Sequence, residues 1–155
     1  MLPLETESQR RQASVWTRAH GLFAMAQLGV FGVSLVLLVL FFRGVVPFSW
    51  VHVSVLVKIA MMLGAGITGA YWEYDVFGKW WFAPEYFYED AMTVNVVLLH
   101  VAYLIVAYAW PFNVALSVAM LCVAYGAYAF NVVQYLLRHH ARVITEAMPQ
   151  EQQAA

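Results

Sequence analysis

Between Trp72 and Asp90 the chain reads WEYDVFGKWWFAPEYFYED, which sets five carboxylates, Glu73, Asp75, Glu85, Glu89 and Asp90, among nine aromatic rings. The other four of the nine acids lie in the polar ends of the chain. Carboxylates in unlike surroundings can divide general acid from general base work, because burial favours the protonated form of one while a polar setting keeps the other ionised. His100 adds an imidazole able to exchange a proton or, when neutral, to ligate a metal. Lys58 is a lone cation in an apolar run. The candidates for proton transfer are therefore Glu73, Glu89, Asp90 and His100. Those for holding a substrate are Lys58, Trp72, Phe77, Lys79, Trp81, Asn131, Gln134 and Arg138.

The elements that must position these residues follow from composition. The chain has 155 residues, of which 63% are hydrophobic and 11% charged, with a mean hydropathy of +0.69. It lacks the polar surface that a water-soluble domain of this size requires. An all-α integral membrane protein is predicted, a bundle of four transmembrane helices over 21–42, 50–72, 90–110 and 113–137. The first of these alone is about 33 Å long at ~1.5 Å per residue, enough to cross the hydrocarbon core. Polar segments at 1–19 and 139–155 flank this membrane domain, and residues 73–89 form an acidic and aromatic loop. Pro47 and Pro111 mark tight turns on one side. The polar start and the closing MPQEQQAA read as frayed ends.

Arg10, Arg11, Arg18, Lys79, Arg138 and Arg142 flank one membrane face and Arg43 the other. The excess of positive charge on cytoplasmic sides then predicts cytoplasmic termini and a cytoplasmic loop, in a multi-pass protein of an inner, cytoplasmic or intracytoplasmic, membrane.

Polar residues inside the spans report on the bundle interior, since they are costly against lipid. Counted from the predicted cytoplasmic ends, Glu73, Glu89, Asp90 and Gln134 lie at the boundary. Gln27, Thr68, Asn95 and Asn131 lie about one and a half to two turns in, His100 near the midplane and Lys58 deeper. Glu89, Thr93, His100 and Tyr103 share a stripe of one helix, and Tyr128, Asn131, Tyr135 and Arg138 a stripe of the next. Asn95 is about 140° around the helix from His100. These positions predict a cavity beneath the loop. Simpler roles stay open for each: helix packing or a flat ligand for Gly64, Ala65, Gly66, Gly69 and Ala70, interhelical hydrogen bonds for Asn131 and Gln134, an interfacial belt for the Trp and Tyr residues, a buried structural imidazole for His100 and snorkelling for Lys58.

Several classes are excluded. A net charge of −1 without a Lys/Arg stripe offers nothing to nucleic acid. A single cysteine, Cys122, allows neither an internal disulfide nor a thiolate metal cage. There is no phosphate-binding glycine loop, zinc spacing or hydrolase elbow, and no inverted repeat of a transporter.

The order of the motifs WTRAHGLFAMAQ (16–27), VLVKIA (55–60), TGAYWEYDVFGKWWFAPEYFYED (68–90), LHVAY (99–103) and FNVVQYLL (130–137) resembles the 3-vinyl bacteriochlorophyllide hydratases, known by an older numbering as 2-vinyl bacteriochlorophyllide hydratases. The likeness covers nearly the whole chain and is most specific at Trp72-Glu73, Val76-Phe77-Gly78, Phe82-Ala83-Pro84 and Glu89-Asp90, with departures at His20, Tyr74, Tyr86 and Tyr88. It implies addition of water across the C3 vinyl group of a magnesium-containing chlorin or bacteriochlorin in bacteriochlorophyll a synthesis. No protein-bound metal or further cofactor is implied, and the partners are the tetrapyrrole, the lipid bilayer and other pigment-synthesis or photosynthetic membrane proteins. Such a hydration needs an acid for the vinyl terminus and a base for water, with the more buried of Glu73 and Asp90 expected as the acid and Glu89 or His100 expected to position the water. His100 is alternatively an axial ligand to the pigment magnesium. A second function class, a pigment-binding or assembly subunit without turnover, keeps the same cavity.

Overall fold

The computed structural model describes residues 7–84 and 86–147, and of residues 7, 8, 139 and 141–147 it describes the backbone alone. Glu85, the closing MPQEQQAA and the side chains of His139 and Arg142 therefore lie outside the described residues. Among the described residues five helices follow one another: α1 (Glu7–Ala13), α2 (Val15–Phe42), α3 (Phe48–Phe77), α4 (Phe87–Ala109) and α5 (Val114–Ala147). Among the described residues, α2, α3, α4 and the Val114–Arg138 portion of α5 are long and apolar enough to cross a membrane. The protein is thus all-helical and multi-pass, the form in which a backbone satisfies its own hydrogen bonds where no water is present.

The helix ends are set by local chemistry. The polar start does not fray throughout. It is helical from Glu7, and Ser14 ends α1 and opens α2. The Ser14 N–H donates to the Arg10 carbonyl at 3.0 Å, while its Oγ accepts the Trp16 N–H at 3.2 Å, a side-chain cap on the first turn. At the other end of α2, Gly44 takes a left-handed φ of 71°. This lets the N–H groups of Gly44 and Val45 reach the carbonyls of Phe41 and Leu40, both at 2.9 Å. Pro47 then precedes the first turn of α3, where a missing N–H costs nothing. α3 runs on to Phe77 rather than stopping at Trp72, and Gly78, also at φ 71°, closes it with an N–H to the Tyr74 carbonyl at 2.9 Å. Glu73 and Asp75 are therefore helical, and the irregular loop is confined to 78–86. Asn113 caps α5 by accepting the Leu116 N–H at 3.0 Å.

The chain divides into two compact units, Met1–Phe87 and Tyr88–Ala155. In the first, α2 lies against the small-residue stripe of α3. A Cβ built at Gly64 would run into the Phe23 ring, and one at Gly69 would sit 3.1 Å from the His20 ring. Helix packing is thus the use to which Gly64 and Gly69 are put. Phe31, Leu38, Val51, Val55 and Met62 are buried in this unit. In the second, α4 buries Val96, His100 and Tyr103 and α5 buries Leu121, Ala124, Tyr125 and Tyr128. Asn95 is exposed where His100 is buried, as their angular separation requires. Leu22, Met25, Val36, Leu98 and Ile105 are exposed, which suits helices whose outer faces meet lipid.

Replacing Gly64 by Leu is expected to force Phe23 out of its seat and to destabilise the detergent-solubilised protein by about 1–3 kcal/mol, the usual cost of overpacking. Gly66→Ala, where a Cβ meets nothing within 4 Å, is the matched control and should leave thermal unfolding unchanged.

Candidate functional site

Glu73 lies one turn before the end of α3 and is only 3% exposed. Its Oε2 accepts the backbone N–H of Ala83 at 3.1 Å, so the carboxylate reaches across the loop and pins its far limb. Ala83 is fully buried and its carbonyl accepts the Tyr86 N–H at 2.8 Å, closing a turn. The residue before it, Phe82, has a left-handed φ of 57°. A bulky residue takes that conformation only when its surroundings impose it, at about 1–3 kcal/mol.

Aromatic rings surround this anchor. Trp72 meets Phe77 edge-on at 5.7 Å and Tyr86 at 5.1 Å between centroids, and Phe77 and Tyr86 are 5.7 Å apart. The Trp72 indole N–H donates to Thr17 Oγ1 at 3.0 Å, tying the end of α3 to the start of α2. His20 lies nearly parallel to Trp72 with centroids 6.2 Å apart, and its Nδ1–H donates to the Ala65 carbonyl at 3.1 Å. A second aromatic run stacks Trp16 on Tyr71 at 4.6 Å and Tyr74 on Trp80 at 4.5 Å. Lys79 and Trp81 are exposed on the loop.

Lys58 stands apart from this group. It is fully buried on α3, with Nζ 3.5 Å from Met62 Sδ and 5.5 Å from the Phe31 centroid. Fifteen helical residues separate it from Glu73, about 22 Å along the axis, so the two serve different parts of the first unit. A depression of about 240 Å³ lined by Leu35, Val36, Val39 and Leu40 is wholly apolar. It lies toward the Phe42 end of α2, away from Thr17 and Trp72, and brings no polar group to the carboxylates.

In the second unit, Glu89 and Asp90 occupy the first turn of α4, where the helix dipole favours negative charge. Arg138 Nη1 is 3.7 Å from Glu89 Oε2, and its guanidinium lies 4.6 Å from the Tyr88 centroid. One turn further in, Asn131 Nδ2 donates to Thr93 Oγ1 at 3.4 Å. Deeper again, His100 is 1% exposed with Tyr125 at 6.0 Å between ring centroids. Its Nδ1 is 2.8 Å from the Val96 carbonyl, and a carbonyl only accepts, so Nδ1 carries a hydrogen. Asp90 and Gln134 are half-buried. Of the expected α5 stripe, Tyr128 is buried while Tyr135 is exposed. Among the described residues, no three His, Cys, Asp or Glu side chains are grouped to share a metal ion.

Sequence reasoning did not place Thr17, Arg11 or Tyr86 among the site residues, although Thr17 and Arg11 touch the aromatic group beside Glu73 and Tyr86 belongs to it. Ser14, a helix-capping residue type placed just before the apolar run, was the signal that the polar start has structure reaching the site.

A family model described as 2-vinyl bacteriochlorophyllide hydratase matches residues 4–141. The chain is similar to the 2-vinyl bacteriochlorophyllide hydratase of Rhodobacter capsulatus, 38% identical over 85% of this chain and 77% of that protein. It is also similar to the protein of the same name from Cereibacter sphaeroides, 35% identical over 93% of this chain and 91% of that one. No solved structure matches. With the family model covering the helices and the loop that carry the carboxylates, the chain belongs to the 2-vinyl bacteriochlorophyllide hydratase family.

Proposed function

We propose that this protein is a membrane-bound hydro-lyase that adds water to the C3 vinyl group of a bacteriochlorophyllide or chlorophyllide during bacteriochlorophyll a synthesis. Family membership over residues 4–141 carries the reading. The reaction places a proton on the terminal vinyl carbon, leaves a cation on the carbon attached to the macrocycle, and captures it with water to give a 1-hydroxyethyl group. No electrons are exchanged, so the protein has to supply an acid, a base and a flat apolar seat. The magnesium arrives with the substrate, and no other cofactor is invoked.

Glu73 is the acid in this reading. Its burial beside Trp72 supports the role, and the bond from the Ala83 N–H to Oε2 orients the carboxyl. Aromatic faces and ionised carboxylates favour the developing cation. In the first unit Trp72, Phe77 and Trp81 offer aromatic faces and Lys79 a cation to a substrate carboxylate; in the second, Glu89 and Asp90 are candidates for the base, Asn131 and Gln134 for polar contacts and Arg138 for a carboxylate.

His100 favours a second reading. An imidazole whose Nδ1–H is held by a backbone carbonyl has the orientation common among metal-ligating histidines, which suits an axial bond to pigment magnesium and a pigment-binding subunit without turnover. In either reading the protein sits in the inner or intracytoplasmic membrane with both termini in the cytoplasm, among other proteins of pigment synthesis or photosynthesis.

Incubating the solubilised protein with a 3-vinyl bacteriochlorophyllide should shift its absorption and add the mass of one water. Glu73→Gln is expected to lower that turnover by about 10²–10⁴-fold, the usual contribution of a general acid, with pigment binding retained, and wild-type turnover would remove Glu73 from the role. His100→Leu should alter the absorption bands of the bound pigment if Nε2 ligates magnesium. Unchanged bands with lost turnover would assign it to proton transfer instead. A C-terminal alkaline phosphatase fusion should be inactive and a fluorescent-protein fusion bright, and the reverse would invert the topology.

A further inference from the structure

We propose that Arg11, on the short helix that precedes the membrane spans, is a positioning residue that holds the loop carrying the partner of Glu73. The proposal rests on the hydration reading above.

The guanidinium of Arg11 lies 5.8 Å from the Phe77 centroid and 5.6 Å from that of Tyr86. Phe77 is the last residue of α3 and Tyr86 the last before α4, so one cation bridges the two ends of the loop. The backbone of Arg11 is engaged as well. Its carbonyl accepts the Thr17 hydroxyl at 2.6 Å, and the same hydroxyl accepts the Trp72 indole N–H at 3.0 Å. Side chain and main chain of one residue thus reach all three rings of the Trp72, Phe77 and Tyr86 group.

That group is coupled to Glu73 by short links. Trp72 is its neighbour in sequence, and Tyr86 donates its N–H to the carbonyl of Ala83, whose own N–H is held by Glu73 Oε2. The turn between them contains the left-handed Phe82, a conformation that the chain keeps only under constraint from both sides. Glu73 constrains it from the helix side. Arg11, through Tyr86, constrains it from the other. Release of Arg11 loosens Ala83, and with it the orientation of the Glu73 carboxyl, without removing any group that touches the substrate.

The effect therefore falls on kcat rather than on KM. In the full-length, detergent-solubilised protein assayed with a 3-vinyl bacteriochlorophyllide, R11A is expected to lower kcat about tenfold with KM within about twofold, the size of losing two cation–ring contacts. R11K, which keeps a cation over the rings, should recover most of the loss, and R10A should behave as wild type. Tryptic cleavage after Lys79, followed by mass, gives a second readout independent of turnover, and R11A should cleave several-fold faster. Wild-type kcat in R11A, or a rise in KM alone, overturns the positioning role, as does failure of R11K to recover activity. If the wild-type protein hydrates nothing, the reaction assignment fails and the clamp is judged on cleavage alone, an unchanged rate overturning it. Should R11A fail to accumulate, T17V, which cuts the link from Trp72 to the Arg11 carbonyl, is read by the same criteria.

Discussion

Every N–H and C=O that enters hydrocarbon has to find its partner within the protein, since lipid offers none. This confines the spans to continuous helix and leaves irregular backbone only between them. The two glycines at φ 71°, Gly44 and Gly78, show how sharply the boundary is drawn: each ends a helix with carbonyls satisfied and turns the chain out at once. Shaped backbone has to be built at such a boundary, and the loop 78–86 is one such segment.

That loop is too short to contain a core, so its conformation is borrowed from the helices around it. The carboxylate of Glu73 substitutes for a missing backbone acceptor at Ala83, and the left-handed Phe82 is the distortion that brings the N–H within reach. The same contact that orders the loop orients the Glu73 carboxyl. One bond therefore both orients the Glu73 side chain and shapes the loop.

The second unit meets its polar demands along α4 and α5 by rungs of unlike kind. Arg138 is held between a carboxylate and an aromatic face at the helix ends, Asn131 and Thr93 pair neutrally one turn in, and His100 turns to its own helix backbone where water is scarcest. The charged pair sits at the helix ends and the neutral groups lie deeper, as the rising cost of charge toward the membrane interior requires.

Much of this was legible in residue types alone. Continuous apolar runs determine that the chain is helical and crosses a membrane, because only a helix closes its hydrogen bonds within a single such segment, and the ordered motifs from Trp16 to Leu137 determine the family. The common burial of Glu89, His100 and Tyr103 on one stripe of α4 followed from helical phase, a local property of the backbone. Phase could not say what a side chain meets. That Glu73 bonds to Ala83, ten residues on, that Gly64 seats Phe23, and that Arg11 in the polar start lies over rings at both ends of the loop depend on contacts between distant segments. Such contacts are decided by how helices pack and where loops turn, and composition, which records each residue without its neighbours in space, carries no term for them.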